Sequence, residues 1–461
     1  MSARSATEHA APVWRTATAL AAGTGVGVVL LAVGLVLRRA DVALLGLPAL
    51  LSATWGWTHR PTGLVTTHVR PDPTAPPGTV GAVLRVDAPQ GVETVLVRVV
   101  GAGNVVAERA LAVHGTPREL TLRTRSARTG PQDSFRVDHA AYGPEGVEEQ
   151  VPATVTGPRL LVLPRPVPLG RVPLSSRLRG LAGPHTSRRP GDGTELRDVD
   201  AFRPGDTVRR VDWRATARRS PGLETLYVRR TLATAEATVV LVLDSRDEVG
   251  PDLSTWGGAG TPRLDEATSL DLARHAAASV AQAVLDAGDR VALDDLGQLR
   301  RPVRPGGGRR HLRRILHGLA TTRPVGEPSR RLRAPQVPAG AAVYLFSTLL
   351  DDEAPRLARQ WHDAGHVVVV VDTLPAPALA DVPARIYLAW LVTGRERADR
   401  VEDLRAAGVD VVRWVPDPAG RPGPDGRPHD ALDPRSALEL AARRHDWRRA
   451  RAPRSSRGGA R

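Results

Sequence analysis

Apolar and polar positions change texture several times along this chain, and each texture predicts its own element. The first is an uncharged run of 22 residues from Thr16 to Leu37. As a helix rising ~1.5 Å per residue it spans ~33 Å, enough for a bilayer core. Trp14 and Arg15 precede it and Arg38 and Arg39 follow, residues suited to membrane interfaces. A second run, Val42 to Trp57, has 16 residues and reaches only ~24 Å, so it crosses only with help from its flanks. The pattern predicts an N-terminal transmembrane helical hairpin in residues 1–60, with spans at about 16–37 and 42–57. A cleaved signal peptide has a shorter apolar stretch and a small-residue cleavage site, whereas Arg38-Arg39 stands here. Gly23 and Gly27 form a small-xxx-small pair for close packing. Arg4, Arg15, Arg60 and Arg70 on one side outweigh Arg38 and Arg39 in the loop, which places the soluble bulk in the cytoplasm. The expectation is a multi-pass cell-membrane protein that meets lipid through its hairpin.

From 61 to 170 short alternating runs appear, at Thr79 to Val86, Glu93 to Val100, Glu119 to Arg123 and Pro158 to Leu163. Clusters such as Pro76-Pro77-Gly78 separate them. Short strands punctuated by turn residues predict a β-sandwich-like domain. Residues 235–420 read differently. Thr238 to Leu243 is continuously apolar and ends in Asp244, as in a strand buried on both faces. Leu270, Ala273, Ala277, Val280 and Val284 share one face of a helix from Thr268 to Asp286, opened by a Thr268-x-x-Asp271 capping box. Further strands are expected at Arg290 to Leu293, Ala341 to Phe346, His366 to Asp372 and Val409 to Val415, with helices at His311 to Leu319, Glu353 to Ala364 and Arg395 to Ala407. This alternation predicts an α/β domain built on an open, Rossmann-like parallel sheet. Gly306-Gly307-Gly308 lacks the Lys and Ser/Thr of a phosphate-binding loop and reads as a turn.

Between these domains, residues 171–234 are rich in arginine. The stretch contains Phe202, Pro204-Gly205-Asp206, Arg209, Val211-Asp212-Trp213 and Thr216-Ala217-Arg218, in that order. Pro-Gly-Asp marks a turn. Arg209, Asp212 and Arg218 are expected to form an ion-pair network around Trp213, since Arg forks match carboxylates. This block resembles the signature of the bacterial domain of unknown function 58 (DUF 58) family. The preceding hairpin, the β region and the following α/β domain agree with that resemblance. It implies an α/β domain of von Willebrand A-like type, and a partner among the MoxR-type AAA+ ATPases, which act in assembly or maturation of envelope proteins.

In the von Willebrand A fold a metal-ion-dependent adhesion site uses Asp-x-Ser-x-Ser, whose hard oxygen ligands suit Mg2+. Here the corresponding residues are Asp244, Ser245, Arg246, Asp247 and Glu248, so Arg246 and Glu248 take the two later serine positions. Thr348 stands where a later Ser-Asp is expected, with Asp351 and Asp352 following. A cation at position 246 repels Mg2+. The site at Asp244 and Ser245 therefore reads as degenerate, with Mg2+ disfavoured and no cofactor expected.

Composition adds a charge argument. All 64 basic positions are arginine, the net charge is +15, and there is no cysteine. Disulfides, cysteine-ligated zinc and thiol nucleophiles are thereby excluded. Arg435 to Arg461 holds nine arginines against Glu439 and Asp446 and reads, within 421–461, as a mobile basic tail. Such a tail carries no base-reading element, so no specific nucleic acid is expected. No nucleophile elbow or His-Glu-x-x-His pattern occurs, which argues against a hydrolase. The expected role is a membrane-anchored, non-catalytic scaffold or adaptor that binds protein. The alternatives are a metal-dependent adhesion module and a membrane-tethered binder of anionic polymers through the tail.

Overall fold

The N-terminal run does not begin as a helix. Trp14–Thr16 is a short strand paired with Glu148–Gln150, and Ala17 N–H donates to Val147 O. That pairing shortens the first helix to Thr18–Val36, ~28 Å long. The second helix, Ala40–Thr58, carries Asp41 in its first turn and Pro48 inside it. The two helices do pack as a hairpin, turned at Arg38 with φ 54°. Its close contact uses Gly27 against Gly46 and Gly34 against Ala43, while nothing lies within 4 Å of a Cβ at Gly23. Among the described residues, no helix is long and apolar enough to cross a membrane. The expected transmembrane hairpin is therefore corrected to a helical hairpin: strand pairing takes the start of the first apolar run, and the second helix contains Asp41 and Pro48.

The structure is a computed structural model that describes residues 14–101, 106–175, 178, 183–258, 260–298, 301–325, 334–414 and 433–451. The chain divides into two compact units, Met1–Val162 and Leu163–Arg461.

In the first unit, Thr66–Pro71, Thr79–Asp87 and Arg118–Arg125 form one antiparallel sheet. A second antiparallel sheet runs through Trp14–Thr16, Glu148–Gln150, Arg136–Tyr142, Thr94–Val100 and Val106–Ala112. Alternate residues of both sheets, among them Val80, Ala82, Leu84, Val95, Val97 and Val137, enclose one core. That alternation follows from the two-residue period of a strand.

The second unit opens with a long antiparallel hairpin, His185–Ala201 against Tyr227–Ala235, whose register shifts several times. A six-stranded sheet follows, in the order Val303–Gly306, Arg290–Asp295, Thr238–Leu243, Ala342–Ser347, Val367–Asp372, Asp410–Arg413. Its neighbours are parallel except the first pair, which is antiparallel. Val239, Leu241 and Leu243 pack towards the helices Ser269–Asp286 and Gly308–Thr321. Val240 and Val242 pack towards Leu357, Trp361 and Leu404 of Glu353–Asp363 and Ala384–Ala406. Burial on both faces is why this strand is apolar throughout.

Two expectations change here. An open parallel sheet is not the architecture: the chain is mixed α/β, and among the described residues four of five sheets are wholly antiparallel. The antiparallel edge follows from the short direct connection between Asp295 and Val303, and the triple glycine comes after it: Gly306 ends the strand and Gly308, at φ 80°, turns the chain into a helix. The basic C-terminal segment is not uniformly mobile. Pro434–Arg451 is a helix whose Leu438, Ala441 and Ala442 are buried and whose His445 and Arg444 reach Asp410 at 2.6 and 3.1 Å. The remainder of that tail, 421–432 and 452–461, lies outside the described residues.

Candidate functional site

The arginine-rich signature is the connection between the two strands of the long hairpin. Phe202 N–H donates to Leu226 O at 2.7 Å, which extends the ladder before the chain departs. Pro204 and Gly205 make the turn, and Gly205 needs its φ of 100°. Asp206 closes that turn by accepting from Arg203 N at 2.9 Å. Arg230, from the returning strand, then joins the pieces. Its Nη1 lies 3.0 Å from Asp200 Oδ2, and its Nη2 lies 3.0 Å from Asp206 Oδ2 and 3.1 Å from Ala201 O.

Asp212 opens the helix Trp213–Arg219. Its Oδ1 accepts from Arg214 N and Ala215 N at 3.1 and 3.0 Å, satisfying N–H groups that have no partner within the helix. Its Oδ2 accepts from Arg229 Nε at 2.7 Å. The buried Thr216 accepts from Tyr227 N at 2.9 Å and fixes the helix to the strand. The Ala201 N–H holds the Asp200 carboxyl below the usual range, Arg230 does so for Asp206, and the Ala215 N–H with Arg229 does so for Asp212.

The expected ion-pair network is therefore rewired. Asp212 takes Arg229, and among the described residues Arg209 and Arg218 make no ion pair. The cap explains this. Asp212 must face the helix start, and Arg218 lies six positions on, ~9 Å along the axis. Trp213 is not enclosed by arginines either: it is 60% exposed, and in the same connection Val208 is 66%, Leu223 58% and Phe202 36% exposed. Pro204, Ala217 and Arg218 are also on the surface. Arg229, Arg230 and Thr216 are the residues the sequence pattern missed as partners. Local spacing carries no signal for them, because they meet their partners only when the hairpin closes.

A second constellation sits at the carboxyl ends of the sheet strands. Asp244 follows Thr238–Leu243, and Ser347 Oγ donates to its Oδ2 at 2.8 Å. Arg246 is 7% exposed. It gives Asp244 two hydrogen bonds at 2.8 Å and Asp351 two more at 2.6 and 2.9 Å. Burial alone would lower the Arg246 pKa, but those two carboxylates raise it, so the guanidinium is a fixed cation. Asp247 stands beside it with Thr348 Oγ1 3.3 Å away. Burial, then the charges of Asp244 and Asp351, push the Asp247 carboxyl up to about 7.

Ser245 Oγ donates to Asp295 at 2.5 Å and Thr268 Oγ1 to Glu248 at 2.7 Å. The loop from Thr348 to Asp352 is also tied from outside. Arg397 donates to Thr348 O at 2.8 Å, and Arg400 to Leu350 O at 3.1 Å and Asp352 at 2.5 Å. The oxygens of Asp244 that an adhesion-type metal would need are thus taken by Arg246 and Ser347. Among the described residues no group of three His, Asp or Glu side chains is placed to hold a metal ion.

Residues 198–378 match the family model described as "Protein of unknown function DUF58". They form a DUF58 domain. The matched stretch starts inside the long hairpin and takes in both the Asp212–Arg229 cap and the Arg246 lock. It ends at Ala378, before the helix Ala384–Ala406 that carries Arg397 and Arg400. No curated protein and no solved structure matches the chain.

Proposed function

We propose that the chain is a non-catalytic adaptor that binds another protein through the signature face of its DUF58 domain. The observation that carries this reading is the division of labour in residues 202–226. Asp206, Asp212 and Thr216 are consumed in internal bonds, while Val208, Trp213 and Leu223 are each more than half exposed. Solvent-facing Trp among arginines matches the residue types that dominate binding energy in protein interfaces. The family resemblance points to a MoxR-type AAA+ ATPase as that partner. A metal-dependent adhesion module is disfavoured, because the Arg246 guanidinium already occupies the carboxylates of Asp244 and Asp351.

Affinity capture from native cell extract, with the full chain and its Trp213→Ala variant as baits, tests the reading. An AAA+ ATPase enriched on the unmodified bait and depleted on the variant supports it. Identical protein recovery on both baits rejects it.

A further inference from the structure

We infer that the occupant of this face is an acidic protein segment that also carries apolar side chains; the inference rests on the adaptor reading above. Charge is the first argument. Arg209, Arg214 and Arg218 are exposed, and among the described residues none of them is in an ion pair. Of the nearby carboxylates, Asp200 and Asp206 are committed to Arg230 and Asp212 to Arg229, which leaves the exposed Glu224 against three arginines. The connection therefore offers surplus guanidinium forks, whose planar geometry matches carboxylates two bonds at a time. Arg214 and Arg218 are four positions apart on one helix, so they are neighbours on its surface.

The second argument is the exposed apolar side chains of the same connection. Val208 and Leu223 are aliphatic and more than half exposed. Leu223 sits at φ 55°, a left-handed conformation that a branched side chain adopts at a cost, directly after Gly222, which would adopt it freely. The fold keeps a leucine outward where a glycine is cheaper. Aliphatic side chains gain from burial against other apolar groups. A nucleic-acid groove combines cations with aromatic stacking platforms and has no use for them. Exposed cations and aliphatics in one connection with Trp213 and Phe202 fit a peptide that alternates carboxylates with apolar residues.

The test places the photo-crosslinker p-benzoylphenylalanine in the full chain, as Trp213→p-benzoylphenylalanine and, separately, Val208→p-benzoylphenylalanine. Irradiation in the native host is followed by mass spectrometry of the joined peptide. The expected product is a protein segment with net negative charge and apolar residues. Its yield should fall at least ~10-fold in an Arg214→Glu/Arg218→Glu background that keeps the parent circular dichroism spectrum. A neutral or basic segment, or a crosslinked nucleic acid, overturns the inference. So does the absence of crosslinks at both positions while Trp213-dependent capture persists. Loss of that capture dependence as well would instead remove the adaptor reading itself.

Discussion

Arg246 donates two hydrogen bonds to the carboxylate of Asp244, both at 2.8 Å, from a side chain only two residues further along the chain. The same guanidinium holds Asp351 across 105 residues of sequence. A buried ion pair of this kind adds little over a well-packed apolar pair, yet breaking it on one side is costly. Arg246→Ala is therefore expected to destabilise the α/β unit by ~3–5 kcal/mol, because Asp244 stays buried without its counter-charge. An Asp244→Asn/Arg246→Met double variant should recover most of that loss. Urea unfolding followed by circular dichroism measures both, and a loss below ~1 kcal/mol in the single variant would show that the pair does not lock the strand tips.

Asp247 gives the same site a pH signature. Its pKa lies at about 7 in the folded chain against an ordinary value of 3.8. Between those values the folded protein keeps a proton that the unfolded chain has released. Stability therefore falls as pH rises through this window and levels off above about pH 7. Asp247→Asn removes the proton from the balance. The variant should melt higher than the parent by roughly 3–6 °C at about pH 8, and the two should converge near pH 4. A constant offset at all pH values would locate the effect in packing rather than in ionisation.

Parts of this arrangement are legible in the sequence and parts are not, for physical reasons. Thr238–Leu243 is readable because both its faces are buried, so every position is apolar. The presence of a cation two residues after Asp244 is readable directly. The pairing of Arg246 with Asp351 is not, since it depends on the sheet bringing two loops together. His185–Ala201 escapes detection because it is polar and its register shifts repeatedly, which erases the two-residue alternation. The N-terminal run misleads in the opposite sense. Its apolar length is real, but Trp14–Thr16 is drawn into a sheet by residues more than 130 positions away, and hydropathy is blind to that. At the signature, the turn at Pro204-Gly205 is local and visible, whereas the choice of Arg229 over Arg209 and Arg218 belongs to the closed hairpin.

In the N-terminal unit, His139 is buried within the sheets, with its Nδ1 3.4 Å from Thr67 Oγ1. Burial lowers its pKa from 6.5, against a weaker opposing pull from Asp138. Below 6.5 the unfolded chain takes up a proton that the folded chain resists, so stability is lost as pH falls through that value. His139→Gln keeps a polar group near Thr67 and removes the titration. Its unfolding midpoint should vary less than the parent's between about pH 5 and pH 7. Parallel pH profiles would show that another group controls this window.

Asp212 serves two masters, the helix start and Arg229, and substitutions separate them. Asparagine caps helices about as well as aspartate but carries no charge, whereas alanine does neither. Asp212→Ala should cost ~1 kcal/mol for the cap, within a range of ~0.5–2 kcal/mol, and release the N–H groups of Arg214 and Ala215. Asp212→Asn should cost less, because the lost partner Arg229 is 63% exposed and can be rehydrated. Hydrogen exchange at Arg214 and Ala215 reads the cap directly: fast exchange in the alanine variant and parent-like protection in the asparagine variant are expected. If both variants lose protection equally, the charge of Asp212 rather than its cap geometry holds the helix in place, and the exposed Trp213 is positioned by the ion pair with Arg229.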